Sequence, residues 1–165
     1  MSAVLVVLVG CGGSIRKEQE HRVAHLRVST AAVMMSGQAA SCASHFRAFW
    51  SAWEYAKVSG EDFASASAAV LGPESPRMRQ QLIAGKAEVE DLLARLDPVP
   101  EVLQRSMEKM KKIQEIYLKI FDLAVNPPDS LDGSLEKLSE WEEEFDAEVG
   151  ELETMLSEID TGEER

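Results

Sequence analysis

Residues 131–159 read LDGSLEKLSEWEEEFDAEVGELETMLSEI, and their spacing decides the fold. Leu131, Leu135, Leu138, Glu142, Phe145, Val149, Leu152, Leu156 and Ile159 recur at alternating steps of four and three, with Glu142 the one polar member. That interval returns side chains to one face of an α-helix, whereas a half-buried strand would alternate every second residue. Gly150 interrupts the run at a cost of about 1 kcal/mol relative to Ala, which packing must offset. The seam also resembles a coiled coil, and it makes this acidic helix the expected partner surface if the chain self-associates.

Working outward, the same periodicity returns upstream between Gly- and Pro-rich breaks. Asn126-Pro127-Pro128 ends a helix expected from about Glu101 to Val125, because a residue before proline avoids the α region. Its apolar face holds Leu103, Met107, Met110, Ile113, Ile116, Ile120 and Leu123, with Tyr117 and Phe121 alongside. Asp97-Pro98-Val99-Pro100 closes another helix with Met78, Leu82, Gly85, Val89, Leu92 and Leu96 in its stripe; Ser75 and Pro76 suit its start. Ser59-Gly60-Glu61-Asp62 marks a break and a fresh N-cap, followed by a short helix with Phe63, Ala66 and Val70. In the first helix, Val28, Ala32, Met35, Ala39, Cys42, Phe46, Phe49, Trp53 and Ala56 form a narrow stripe, small at one end and aromatic at the other. The expected fold is all-α: an antiparallel four-helix-type bundle with a long first helix and one short extra helix. A first helix of about 40 residues would reach roughly 60 Å against roughly 30–45 Å for the others, so it overhangs the bundle or kinks near Ser36-Gly37.

The amino terminus is different in character. Ala3-Val4-Leu5-Val6-Val7-Leu8-Val9 is apolar but too short to cross a hydrocarbon core, which needs about 20 helical residues. Its length suits the apolar region of a signal peptide. Such a Val/Leu run before Gly10-Cys11-Gly12-Gly13 also opens nucleotide-binding folds, yet no βαβ alternation follows it. Leu8-Val9-Gly10-Cys11 resembles the lipobox of bacterial lipoprotein precursors, a resemblance that covers about a dozen residues and leaves the folded body untouched. It implies that Cys11 is diacylated, with palmitate-type chains, and that the chain is cut just before it. Two or three acyl chains at about 0.8 kcal/mol per buried methylene give stable anchoring. Gly12 after the cysteine resembles the class sorted to the outer membrane.

The expected organisation is therefore a signal peptide over 1–10, a lipidated linker over 11–17, a helical bundle over 18–160 and a disordered tail over 161–165. If Cys11 is acylated, Cys42 is left alone and no intramolecular disulfide forms, even in an oxidising periplasm. Charge is polarised. Across residues 1–60 six basic residues face three acidic ones, whereas from Asp129 onward fifteen acids face Lys137 and Arg165 alone. A formal net charge of −12 argues against nucleic acid as a partner, since phosphate binding needs basic surface.

Few residues invite chemistry. His21 and His25 stand four apart on the continued stripe of the first helix, with Glu18 one turn back, a spacing from which two imidazoles can share a metal ion. Glu18-Gln19-Glu20-His21 matches half of a di-iron bundle motif, but His45, the third histidine, has no Glu three residues before it. No Cys-x-x-Cys-His is present for haem, and no serine, histidine and acid set suggests a nucleophile, so neither a cofactor nor catalysis is expected. Trp50 and Trp53, with Trp141 beside the last seam, suggest either an aromatic pocket or interface, or a cap on the bundle. The expected role is a lipid-anchored, periplasm-facing scaffold or interaction protein. The alternatives are a metal- or small-ligand-binding bundle using His21 and His25, and a cytosolic helical adaptor with an unprocessed amino terminus.

Overall fold

The structure, a computed structural model, describes the backbone of residues 11–72, 75–96, 98–128 and 130–161, and side chains within residues 18–159 of these. The residues read as a signal peptide, Leu8, Val9 and Gly10 among them, the Cys11 side chain and residues 162–165 of the expected tail lie outside the described residues. Within the described residues the chain is helical with no strand: α1 (Cys11–Ser59), α2 (Phe63–Leu71), α3 (Ser75–Ala94), a 3-10 turn (Glu101–Leu103), α4 (Gln104–Val125) and α5 (Ser134–Thr161).

The long first helix and the short extra one sit where the periodicity places them. Asp62 caps α2 by accepting the Ser65 N–H at 3.0 Å and the Ser65 hydroxyl at 2.7 Å, and Gly72 ends it at φ 66°, a conformation other residues resist. Phe49 meets Phe63 edge-on at 5.0 Å, which clips α2 back against α1. Both α2 and α3 pack against α1.

Contacts across the arms fix the directions. Gln38 of α1 reaches Gly85 of α3 so closely that a Cβ there would lie 2.2 Å from its Oε1. Arg79 of α3 donates to the Val125 carbonyl at 3.1 Å, and Lys86 lies over the Phe121 ring, so α3 and α4 are antiparallel. Lys109 pairs with Glu151 and Lys112 with Glu148, making α4 and α5 antiparallel. Arg47 pairs with Glu142 while His25 contacts Leu156, which does the same for α1 and α5. The parallel pair α1 and α4 forms the centre, with α3 and α5 flanking it. Ala31, Ala32, Ala39, Cys42 and Ala43, all buried on α1, leave room for α4 to approach closely. One core runs through the molecule, from Val28 through Phe46 on α1 to Tyr117, Leu138 and Leu152 on the other arms.

Several expectations change. The backbone over 11–17, expected as a lipidated linker, is helical: α1 begins at Cys11 and runs for 49 residues without a break near Ser36-Gly37, a span of about 73 Å. Arg, Lys, Glu and Gln over 16–20 are strong helix formers, and Arg22 pairs with Glu18 one turn back, so the helix propagates toward its start. Four residues of the α5 seam, Leu138, Phe145, Leu152 and Leu156, are buried in this chain's own core. Leu131 is buried but precedes α5, and Gly133, at φ 71°, turns the chain into the helix. Val70 and Met78, each 42% exposed, point outward rather than into the core. Among the described residues no helix is long and apolar enough to cross a membrane.

Gly150 lies exposed inside α5 with nothing within 4 Å of the position a Cβ would take. Gly150→Ala is expected to raise stability by about 1 kcal/mol, read as a later denaturant midpoint at unchanged slope.

Candidate functional site

The three residues singled out near the start of α1 do not converge. Glu18 accepts from Arg22 at 2.7 Å and is thereby committed along its own helix. The His25 imidazole is half-buried, and its Nε2 lies 3.1 Å from the Leu156 carbonyl of α5. A carbonyl only accepts, so Nε2 carries the proton and donates. His25 thus ties α1 to the last turns of α5. His21 is exposed on the rim of a groove. No group of three His, Cys, Asp or Glu side chains suited to a metal ion occurs among the described residues.

What the structure does place here is that groove, about 1330 Å3, where the first third of α1, the 98–106 segment and the end of α5 diverge. Pro98 and Pro100 flank Val99 and carry the chain across the end of the bundle, where Leu103 N–H bonds the Pro100 carbonyl at 2.9 Å. Val23, Ala24, Val99, Val102, Met155 and Ile159 supply an apolar floor, while Glu20, His21, Arg27, Glu101, Arg105 and Glu158 supply a mixed-charge rim. Ser106 lies against the groove, fully buried, and its hydroxyl has no hydrogen-bond partner among the described residues. A buried hydroxyl without a partner costs free energy, so a group that bonded it would recover some. Sequence reading missed this groove because helix ends separated by more than a hundred residues form it.

Trp50, Trp53 and Trp141 are half-buried and pack against the core, and Lys57 sits 4.2 Å above the Trp53 ring. They do not line the groove described above. A charged cluster was also missed by sequence. Glu148, its side chain 9% exposed, accepts from Lys109 at 2.5 Å and also from Lys112. Those two ammonium groups hold its carboxyl below the usual carboxylate range. Its only sequence signal was a glutamate one step off the α5 seam.

His45 and Glu148 together set an acid sensitivity. Burial, and then the nearby Arg79, lower the His45 pKa from its ordinary 6.5, so folding favours the neutral ring. That stability is present above about 6.5 and is lost as pH falls through the folded value. Glu148 contributes above its ordinary value of 4.5 and loses its share as pH falls through the lowered one. Denaturant midpoints should therefore fall in two stages on acidification, and His45→Gln should flatten the stage that begins near pH 6.5. A midpoint unchanged between pH 7 and 5 in the parent chain would contradict this.

No family model, no curated protein and no solved structure matches the chain.

Proposed function

We propose that this chain is a lipid-anchored helical protein of the bacterial cell envelope, held through Cys11 at the periplasmic face of the outer membrane and acting by binding or scaffolding rather than by catalysis. The observation that carries the reading is the lipobox-like Leu8-Val9-Gly10-Cys11, which runs straight into α1. Two acyl chains at about 0.8 kcal/mol per buried methylene outweigh the solubility of an acidic body. From Cys11 to Ala24, where α1 joins the core, the helix rises about 20 Å, so it acts as a stiff post between bilayer and bundle. Mass spectrometry of protein from the native cell should find residues 1–10 removed and a diacylglyceryl thioether on Cys11. Cys11→Ser should move the protein to the soluble fraction. A free thiol with the first ten residues attached overturns the anchor and leaves the cytosolic adaptor.

A second reading, a small-ligand-binding bundle, is favoured by the groove beside His21 and the unpartnered Ser106 hydroxyl. Its test is a melting series with zinc, copper and small apolar ligands. A rise in Tm that Val99→Trp abolishes supports it, and unchanged melting across the series removes it.

A further inference from the structure

Most arginines of this chain already have a partner. Arg22, Arg47 and Arg95 each pair with a carboxylate, Arg79 donates to the Val125 carbonyl, and Arg77 is engaged as well. Among the described side chains Arg27 and Arg105 are the two arginines that make neither a hydrogen bond nor an ion pair, although the chain has 29 acidic residues to 17 basic ones. One belongs to α1 and the other to α4, yet both stand on the rim of the groove at the end of the bundle. Glu20 and Glu158 on the same rim have partners of their own. What the groove offers an incoming group is therefore two guanidiniums, beside the Glu101 carboxylate and the His21 ring.

We propose that this groove binds a single-chain amphiphile with a carboxylate head, a fatty acid whose alkyl chain covers the apolar floor and whose carboxylate is held by Arg27 and Arg105. A guanidinium presents parallel N–H donors that match the two oxygens of a carboxylate. Each arginine also adjoins the floor: Arg27 follows Val23 by one turn of α1, and Arg105 follows Val102 by one turn where the 3-10 segment runs into α4. A cation next to apolar surface on both walls fits one molecule with a charged end and an apolar body. Ser106 adds a third polar mark, since it lies against the groove with its hydroxyl buried and unpartnered. A carboxylate drawn to Arg105 offers that hydroxyl the acceptor it lacks.

Shape favours a chain over a compact ligand. A volume of about 1330 Å3 exceeds the roughly 300–1,000 Å3 of pockets that enclose compact small molecules. Along α1 the groove extends from Gln19 to Arg27, about 12 Å. A flexible chain can follow such a floor, whereas a compact molecule would leave most of it wet. Val23 is 48% exposed, and each methylene that covers floor of this kind tightens binding by up to about fourfold. The inference rests on the ligand-binding reading of the groove and not on the lipid anchor. It agrees with the anchor, because the α1 residues of the groove stand about 12–24 Å from Cys11 along the helix, on the side of the bundle that a bilayer would face.

The test is equilibrium dialysis of labelled laurate, below its micellar range, against the full chain carrying Cys11→Ser, with hexanoate, dodecanol, dodecyltrimethylammonium and lauroyl lysophosphatidylglycerol as competitors. Saturable binding of laurate is expected. Hexanoate, which lacks most of the chain, and dodecanol, which lacks the charge, should each compete at least about tenfold less well. Arg27→Gln combined with Arg105→Gln should weaken laurate at least about tenfold and leave dodecanol unchanged. Tm without ligand should also stay the same, because both arginines are exposed and unpaired in the folded chain. Dodecanol or dodecyltrimethylammonium binding as tightly as laurate, or laurate indifferent to the two arginines, overturns the carboxylate head and leaves the groove a site for apolar ligands. Tighter binding of the lysophospholipid overturns it in favour of a phosphodiester head. Unsaturable uptake of laurate, or no binding by any of these probes, overturns the proposal, and the second result removes the ligand-binding reading with it.

Discussion

Phe46→Ala is expected to lower stability by about 3–5 kcal/mol, the range for truncating a fully buried aromatic side chain. Phe46 has no exposed surface and lies where the α1 stripe changes from small residues to aromatic ones. On its amino-terminal side the helix packs Ala39, Cys42 and Ala43 into the core; on the other side Phe49, Trp50 and Trp53 lie half-buried over the bundle end. Removing the ring opens a cavity between these two regimes, and neither can close it. The alanines are too short to fill it, and on the other side Phe49 is engaged edge-on with Phe63 of α2 while Lys57 lies over the Trp53 ring. Loss on this scale lowers Tm by roughly 10 °C in a chain of this size. Denaturation with an unchanged slope would show that the cost lies in the folded core. A loss below about 1 kcal/mol would mean that the site collapses freely, contrary to the rigid packing described.

The second large effect runs the other way in volume. Ala43→Leu is expected to cost about 1–3 kcal/mol, because Ala43 is fully buried on the small-residue face that allows α4 its close approach to α1. Three added carbons must either push the two central helices apart or force neighbours off their rotamers. The same substitution at Ala40, exposed one turn back, should be close to neutral for the single chain. The contrast between positions 43 and 40 therefore measures the face of the helix rather than leucine's helix propensity. Equal effects at the two sites would mean that α1 is rotated from the orientation described.

Much of this was legible along the chain because a helix repeats its faces locally. The three- and four-residue steps on residues 28–56 and 131–159 require only the geometry of one helix, and the buried set agrees with them from Val28 to Phe46 and from Leu138 to Leu156. Turn residues were equally local: Asp62 and Gly72 bracket α2 through bonds spanning four residues or fewer. The exposure of Val70 and Met78 was not legible, since a stripe shows which residues share a face but not whether a neighbour covers it. The Lys109–Glu148 and Lys112–Glu148 pairs and the His25–Leu156 bond join residues 36 to 131 positions apart, and no periodicity encodes them.

For the candidate site the division is sharper. The lipobox-like Leu8-Val9-Gly10-Cys11 stretch was available from sequence, because a resemblance carried by consecutive residues needs no fold around it. The groove, with Ser106 against it, was not, because it exists only where three distant segments fail to meet. Sequence by itself determined that the chain is all-α, where its helices break, and which face of each is apolar, since these depend on interactions within a few turns. Only the tertiary structure decided which apolar faces are spent on each other. It buried Leu138, Phe145, Leu152 and Leu156 of α5 inside the bundle and left Leu26 and Val33 of α1 exposed, because burial is settled by packing between elements far apart in the chain.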